Sequence, residues 1–420
     1  MKKVLIITYY WPPSGGSGVQ RWLKFVKYLH GKDIDAHILT VSPHTASYPI
    51  TDESLMNEVP DGLKVFHADS KEPFKIYQKL THKNIPKSGF SGEKKPSLID
   101  KFFRFIRGNF FIPDARKGWN KMAYIKAKEL IESFKIDTVI TSSPPHSTQL
   151  IGLKLKKELN IKWICDLRDP WTDLFYNESL YQTSIAKRID SNYEKSCLLT
   201  ADQIVVVSDY IKSQISIKYT TASSKIKVIP NGYDPEDFSD MKKVRSEKKY
   251  ISYVGNLGEN YPIKPFLKSF QKLNTIDDSW KLRFVGNVGE QTTNTIHELK
   301  LNDVVELLPY QPHIEAVQTM LNSDVLLLII PEIRENKGIL TGKLFEYIAT
   351  ENPIILIGPK DGNAAQILSE FNNCSINDYN EKINLEEVVN ALDNALTSSK
   401  IKSKYSRAKQ AQEIIDLIQQ

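Results

Sequence analysis

Short apolar runs recur along the chain, each followed by a turn and then by a stretch of helical periodicity. Val4–Tyr10 leads through a glycine-rich turn into Val19–Gly31, and Ala36–Val41 and Lys64–Ala68 follow. Thr138–Thr141, Gln203–Ser208, Tyr250–Val254, Leu282–Gly286, Val304–Tyr310, Val325–Ile330 and Ile354–Ile357 continue the pattern. Runs that are apolar throughout, rather than at every second residue, read as strands buried on both faces, and those belong to parallel sheets covered by helices. Alternating strands and helices build βαβ units. The fold class is therefore α/β. A length of 420 residues leaves room for two such domains, each able to bury its own core.

Open α/β sheets bind ligands beyond the carboxyl ends of their strands, so the loops after these runs hold the candidate chemistry. The stretch Ile339–Gly358 stands out. Thr341 is a suitable N-cap, and Gly342–Thr350 reads as a short helix. Leu344 with Ile348, and Phe345 with Ala349, form its buried face, while Lys343 and Glu346 leave from another. Pro353 closes the helix before the apolar run. Free amides at Thr341–Lys343, the positive dipole end and the Lys343 ammonium together suit a phosphate.

The first turn carries Gly16 and Gly18 but has Arg21 where a dinucleotide fingerprint needs its third glycine. Leu39-Thr40-Val41 also lacks the acidic residue that would hold a ribose, so an NAD site is excluded. Two further loops, Ser142–Thr148 and Asp166–Trp171, offer His146, Asp166, Arg168, Asp169 and Trp171. Each has an alternative role: His146 as a loop histidine satisfying backbone, the Asp–Arg–Asp cluster as an ion-pair knot, Trp171 as a core anchor.

A net charge of +6 is mild and demands no nucleic-acid partner. Cys165, Cys197 and Cys374 are scattered, which fits a reducing compartment without disulfides or structural zinc. No run approaches the roughly 20 apolar residues that cross a bilayer. The location expected is cytoplasmic, with peripheral attachment to the inner face of the cell membrane as the alternative. Basic residues crowd Lys71–Lys117, and Phe102–Ile112 interleaves aromatics with Arg104 and Arg107. Two readings compete for 71–117: an interfacial segment on an anionic membrane surface, or an insertion whose aromatics dock on the domain.

Several strings resemble the retaining glycosyltransferases of family 4, which have the GT-B fold. They are Pro12-Pro13 with Gly15-Gly16, Ile112-Pro-Asp-Ala-Arg-x-Gly-Trp119, Ser142-Ser-Pro-Pro-His146, Asp166-x-Arg-Asp-Pro-Trp171, Val228-Ile-Pro-Asn-Gly-Tyr-Asp-Pro-x-x-Phe238 and Ile339–Gly358. The resemblance covers most of the chain, failing mainly over 71–110. It implies two Rossmann-like domains facing across a cleft: 1–210 for the acceptor, with 71–110 as an insertion, and 211–398 for the donor. Residues 399–420 would form one helix crossing back to the first domain. The implied function is transfer of a sugar from a nucleoside-diphosphate sugar to a glycan or lipid-linked acceptor, with retention of configuration, in bacterial surface polysaccharide synthesis. No metal or cofactor is implied.

By the same resemblance the diphosphate rests on Thr341, Gly342, Lys343 and Leu344, and Glu346 binds the ribose hydroxyls. Gly15 and Gly16 lie beside the phosphates and reacting sugar, and Tyr310 and Gln311 hold the nucleobase through backbone. Gly255 and Asn256 occupy a loop that in relatives places an Arg and a Lys on the diphosphate. Here Asn256 stands at the Arg position, and Lys264 is loosely placed for the other. The family's first Glu, eight residues before Glu346, is Gly338 in this chain, and Glu332 or Glu335 is the candidate replacement. His146, Lys343 and Glu335 are the implied catalytic residues; Asp166, Arg168, Asp169 and Trp171 are the implied acceptor residues. Two other functions fit the same motifs: a nucleotide-sugar epimerase or hydrolase on this fold, and a non-catalytic nucleotide-sugar binding partner.

Overall fold

A computed structural model describes residues 1–29, 32–71, 98–393 and 399–420. Most of the basic run, residues 72–97, lies outside the described residues. The chain divides into two compact units, Met1–Pro230 with Gln410–Gln420, and Asn231–Lys409.

The first unit is built on seven parallel strands: β1 (Lys2–Thr8), β2 (Ile34–Val41), β3 (Lys64–Ala68), β4 (Thr138–Ser143), β5 (Lys162–Leu167), β6 (Gln203–Val206) and β7 (Ile226–Val228). Their spatial order is β3-β2-β1-β4-β5-β6-β7. Ile6 is in register with Ile38 on one side and Ile140 on the other. The second unit repeats the plan with β8 (Lys249–Val254), β9 (Trp280–Val285), β10 (Val305–Leu308), β11 (Val325–Ile329), β12 (Ile354–Ile357) and β13 (Cys374–Asn377), ordered β10-β9-β8-β11-β12-β13. In each sheet the chain winds outward one way from a central strand and then returns to the other side. The switch points, where such sheets open a crevice, fall between β1 and β4 and between β8 and β11.

Continuous apolar runs do become strands buried on both faces. Val4–Ile7 of β1, all of β11 and all of β12 are buried. Helices pack on both sides of each sheet and close separate cores. One core of the first unit joins Val4, Ile6, Trp22 and Phe25 to Ile414 and Ile418, and one of the second joins Leu328 and Leu356 to Leu344, Phe345 and Ile348.

Two expectations are corrected. The first unit runs past 210 to Pro230 because β7 pairs with β6, Val206 opposite Val228. Residues 399–420 are two helices, Ser399–Ser403 and Arg407–Gln419, rather than one. The break occurs because Tyr405 is buried in the second unit beside Phe345 and Phe371 and donates its hydroxyl to Glu370 at 2.8 Å. Backbone bonds from Tyr233 N to Tyr405 O and from Arg407 N to Tyr233 O replace helical ones there. Only the part from Gln410 onward belongs to the first unit.

Candidate active site

In the second unit the helix Gly342–Thr350 forms with the bounds expected, and Leu344, Phe345, Tyr347, Ile348 and Ala349 make its buried face. It starts beyond the carboxyl end of β11, next to the switch point. Thr341 holds the N-cap backbone conformation (φ −75°, ψ 149°), but its hydroxyl caps nothing. That Oγ1 is enclosed and has no hydrogen-bond partner. Among the described residues no group caps the amides of Gly342 and Lys343 either; the Leu344 amide bonds back to Thr341 O at 3.2 Å. The helix therefore presents an unneutralised positive end, which favours an anion.

Lys343 lies across the end of β8. Its Nζ donates to the Tyr253 hydroxyl at 2.6 Å and sits 3.9 Å from the centre of that ring. Tyr253 in turn donates to the Asn256 carbonyl at 2.9 Å. Gly255 has φ +132°, and a Cβ there would meet Lys343 Nζ at 2.7 Å, so glycine serves both the turn and the lysine. Burial lowers the Lys343 pKa to about 7, with the Glu346 carboxylate pulling the other way. An anion arriving at the helix tip would favour the ammonium. Glu346 is half-buried and accepts from His313 Nε2 at 3.1 Å.

The remaining donor-side residues are placed less uniformly. Asn256 is exposed, and Lys264 pairs with Glu298 at 3.0 Å. Tyr310 is 72% exposed, and Gln311 accepts from Thr319 Oγ1 at 3.0 Å. Glu335 is exposed with a left-handed backbone (φ 59°), its carboxylate 3.8 Å from Arg334 Nε. Glu332 is exposed in the same loop, where Asn336 bonds to Pro331 O and to the Tyr379 hydroxyl.

In the first unit the loops after β1, β4 and β5 converge, and most of their polar groups are spent on one another. Asp166 is fully buried and accepts from Arg21 Nη2 at 3.1 Å, Trp22 Nε1 at 2.9 Å and Ser142 Oγ at 2.8 Å. Arg168 is buried and donates to the backbone oxygens of Gly18, Ser143 and Pro144, tying three strand ends together. Trp171 is buried and donates to Asp190 Oδ1 at 2.8 Å; burial raises that carboxyl's pKa to about 7. Asp166 is thus ion-paired with Arg21 rather than with Arg168, Arg168 braces the backbone of the loops, and Trp171 is a core anchor.

Asp169 differs: it is half-buried, and its carboxylate makes no hydrogen bond or ion pair among the described residues. His146 is buried, its ring 5.2 Å from that of Trp171 and its Nε2 3.4 Å from Asp169 O. Burial lowers its pKa against the pull of Asp114 and Asp169, so it is neutral at neutral pH. Gly15 cannot carry a side chain without crowding Ile50 and Asp52, whereas Gly16 needs its glycine for φ +87°.

The roles of Tyr253, His313, Arg21 and Asp114 escaped the sequence reading. A tyrosine inside an otherwise apolar strand was the available signal, since a buried hydroxyl must find a partner. His313 gave none, because its contact with Glu346 spans two helices.

Residues 88–237 match the sequence profile Glycosyltransferase Family 4, and residues 235–412 match Glycosyl transferases group 1. The Bacillus subtilis (strain 168) protein TuaH, named as a teichuronic acid biosynthesis glycosyltransferase, is 24% identical over 196 residues. That alignment takes in 46% of this chain and 49% of TuaH, so the chain spans about half the length of this relative. Among solved structures, sucrose-phosphate synthase of Thermosynechococcus elongatus superposes with a TM-score of 0.64 at 12% identity, over 100% of this chain and 98% of that one. Anabaena HepE, solved in complex with UDP and glucose, gives 0.60 at 11% over 100% of both chains. These two likenesses establish the GT-B fold. With profiles matched in succession along both units, the chain belongs to glycosyltransferase family 4.

Proposed function

We propose that the protein transfers a sugar from a nucleoside-diphosphate sugar to a glycan or lipid-linked acceptor of a bacterial surface polysaccharide, with retention of configuration. One observation carries this reading: the uncapped start of the Gly342 helix, with Thr341 Oγ1 unpartnered and Lys343 Nζ held beside Gly255. The diphosphate takes the amides of Gly342 and Lys343, and Lys343 gains its proton as the phosphate arrives. Glu346, steadied by His313, takes the ribose hydroxyls. Charge that develops on the departing diphosphate then meets amides and an ammonium already in place, the kind of stabilisation that lowers a transfer barrier most. Asp169 and His146 are the acceptor-side candidates, because Asp166, Arg168 and Trp171 are consumed by structure.

The relatives' names support the direction. TuaH is named for teichuronic acid biosynthesis, and HepE was solved with UDP and glucose. The deciding experiment is a thermal-shift screen of UDP-, GDP-, ADP- and CDP-sugars, followed by transfer assays on the hit with lipid extracts. Stabilisation by one nucleotide sugar, lost in Lys343→Met, is expected, with product formed only when acceptor is added. Donor breakdown at the same rate without acceptor would instead make the protein a hydrolase or epimerase. Tight binding with no turnover would make it a sensor.

A further inference from the structure

The helix Leu98–Phe110 is docked with its polar side inward. Its buried residues are Arg104 and Gly108, one turn apart. Gly108 packs on the Leu180 carbonyl with no room for a Cβ, and Asn109 fastens the same edge by donating to Tyr181 O at 3.1 Å and accepting from Thr183 N at 2.8 Å. The opposite side carries Leu98, Ile99, Phe102 and Phe110, which are 83, 64, 61 and 73% exposed, with Phe105 at their margin. A helix of a water-soluble domain normally turns such a stripe toward the core. This one leaves it in solvent.

The neighbouring helix Ser184–Thr200 repeats the inversion. Ile185 and Ile189, one turn apart, are exposed, while its two carboxylates, Asp190 and Glu194, are buried. Glu194 accepts from the Thr172 and Tyr219 hydroxyls at 2.8 and 2.9 Å. Its outward charges are Lys187, Arg188 and Lys195, all cationic; among the described residues of these elements the other acids are Asp100, half-buried on the first helix, and Glu178, exposed in the short 3-10 helix Phe175–Leu180. Two adjacent helices thus show aliphatic and aromatic side chains among cations, and the second buries both of its acids.

We infer that this face of the first unit docks on an anionic lipid bilayer. Its apolar side chains enter the acyl boundary, and Lys187, Arg188 and Lys195 meet the headgroup phosphates. The charge selects this occupant: a second copy packed symmetrically on the same face would bring these cations toward one another. The inference does not rest on the donor reading, since no residue of the second unit takes part.

The test is flotation of the full chain with vesicles of phosphatidylglycerol and phosphatidylethanolamine, compared with phosphatidylcholine alone, and light scattering of the same samples. Binding to the anionic vesicles, weakened by salt, is expected. Phe102→Ser with Phe110→Ser should weaken it at least about tenfold. Lys187→Glu with Arg188→Glu should weaken it about tenfold on anionic vesicles. Both variants change exposed positions, so wild-type melting and nucleotide-sugar binding serve as the folding control. Equal recovery with neutral and anionic vesicles would overturn the inference. So would a wild-type dimer that the phenylalanine variants break without altering flotation.

Discussion

The two units share a topology and treat the same position in it differently. In each sheet a helix opens after the strand that follows the switch: Ser147–Glu158 after β4 and Gly342–Thr350 after β11. The first is filled from within. Asp114 accepts from the Ser147 amide at 2.7 Å and from its hydroxyl at 2.8 Å, so a carboxylate of the chain occupies the positive end. The second is left open, with a threonine hydroxyl unpartnered and a lysine beside it. The same backbone geometry is filled by the chain's own carboxylate in one unit and left uncapped in the other. Polar residues after β4 and β5 should therefore matter for folding, and those after β11 for binding.

The largest expected effect tests the folding side. Asp166→Ala leaves Trp22 Nε1 buried without its acceptor and the buried Arg21 charge with backbone oxygens in place of its carboxylate, and breaking such a pair costs roughly 3–5 kcal/mol. Melting should fall by about 10 °C in a protein of this size. Nucleotide-sugar affinity, measured by calorimetry below the new midpoint, should be unchanged. Lost affinity with unchanged melting would break the contrast. Lys343→Met is the mirror experiment. A hydrogen bond to a charged group contributes roughly 1.5–3 kcal/mol, so affinity should drop about 10- to 100-fold with no loss of melting temperature.

The lowered Lys343 pKa gives that second variant a further signature. The unfolded chain binds a proton on this lysine up to pH about 10.4, whereas the folded apo protein releases it near 7. The cost of burying the ammonium is then full below pH 7 and fades as pH rises toward 10. Lys343→Met should melt higher than wild type at pH 6, with the difference closing by pH 10. Binding of a diphosphate runs the other way, because it takes up a proton above pH 7. Affinity for UDP should decline between pH 7 and 9 in wild type, and calorimetric enthalpies should vary with buffer ionisation. In Lys343→Arg, whose charge does not titrate, both dependences should vanish; their persistence would place the proton elsewhere.

How much of this could be read in advance follows from the range of each interaction. The bounds of the Gly342 helix were legible because cap, periodicity and closing proline are local signals. The strands β8, β11 and β12 were legible because burial on both faces writes itself into consecutive residues. Asp166 and Arg168 were recognisable as a cluster, but their contacts were not, since Asp166 is held by Arg21 and Trp22 and Arg168 by the backbone of Gly18, Ser143 and Pro144, in loops apart along the chain. The break at Tyr405 was equally hidden: nothing near Ser399–Gln420 announces that this aromatic side chain is held in the second unit's core. Asp114 stood in a recognised string, yet its bond to Ser147 is a property of two loops meeting.

The smallest effect expected is at His313, and it probes whether the pair with Glu346 serves a ribose or only the helix. Its Nε2 lies 3.1 Å from Glu346 Oε1, and both side chains are partly exposed. A hydrogen bond in such a setting contributes about 1 kcal/mol. If its purpose is to hold the carboxylate where ribose hydroxyls will meet it, His313→Ala should weaken UDP roughly fivefold and leave inorganic pyrophosphate, which has no ribose, unaffected. His313→Gln, which retains a donor, should recover part of the loss. Equal weakening of both ligands would mean that the pair supports the helix as a whole. In that case Glu346 would have no claim on the ribose, and the second unit's open end would be a phosphate site alone.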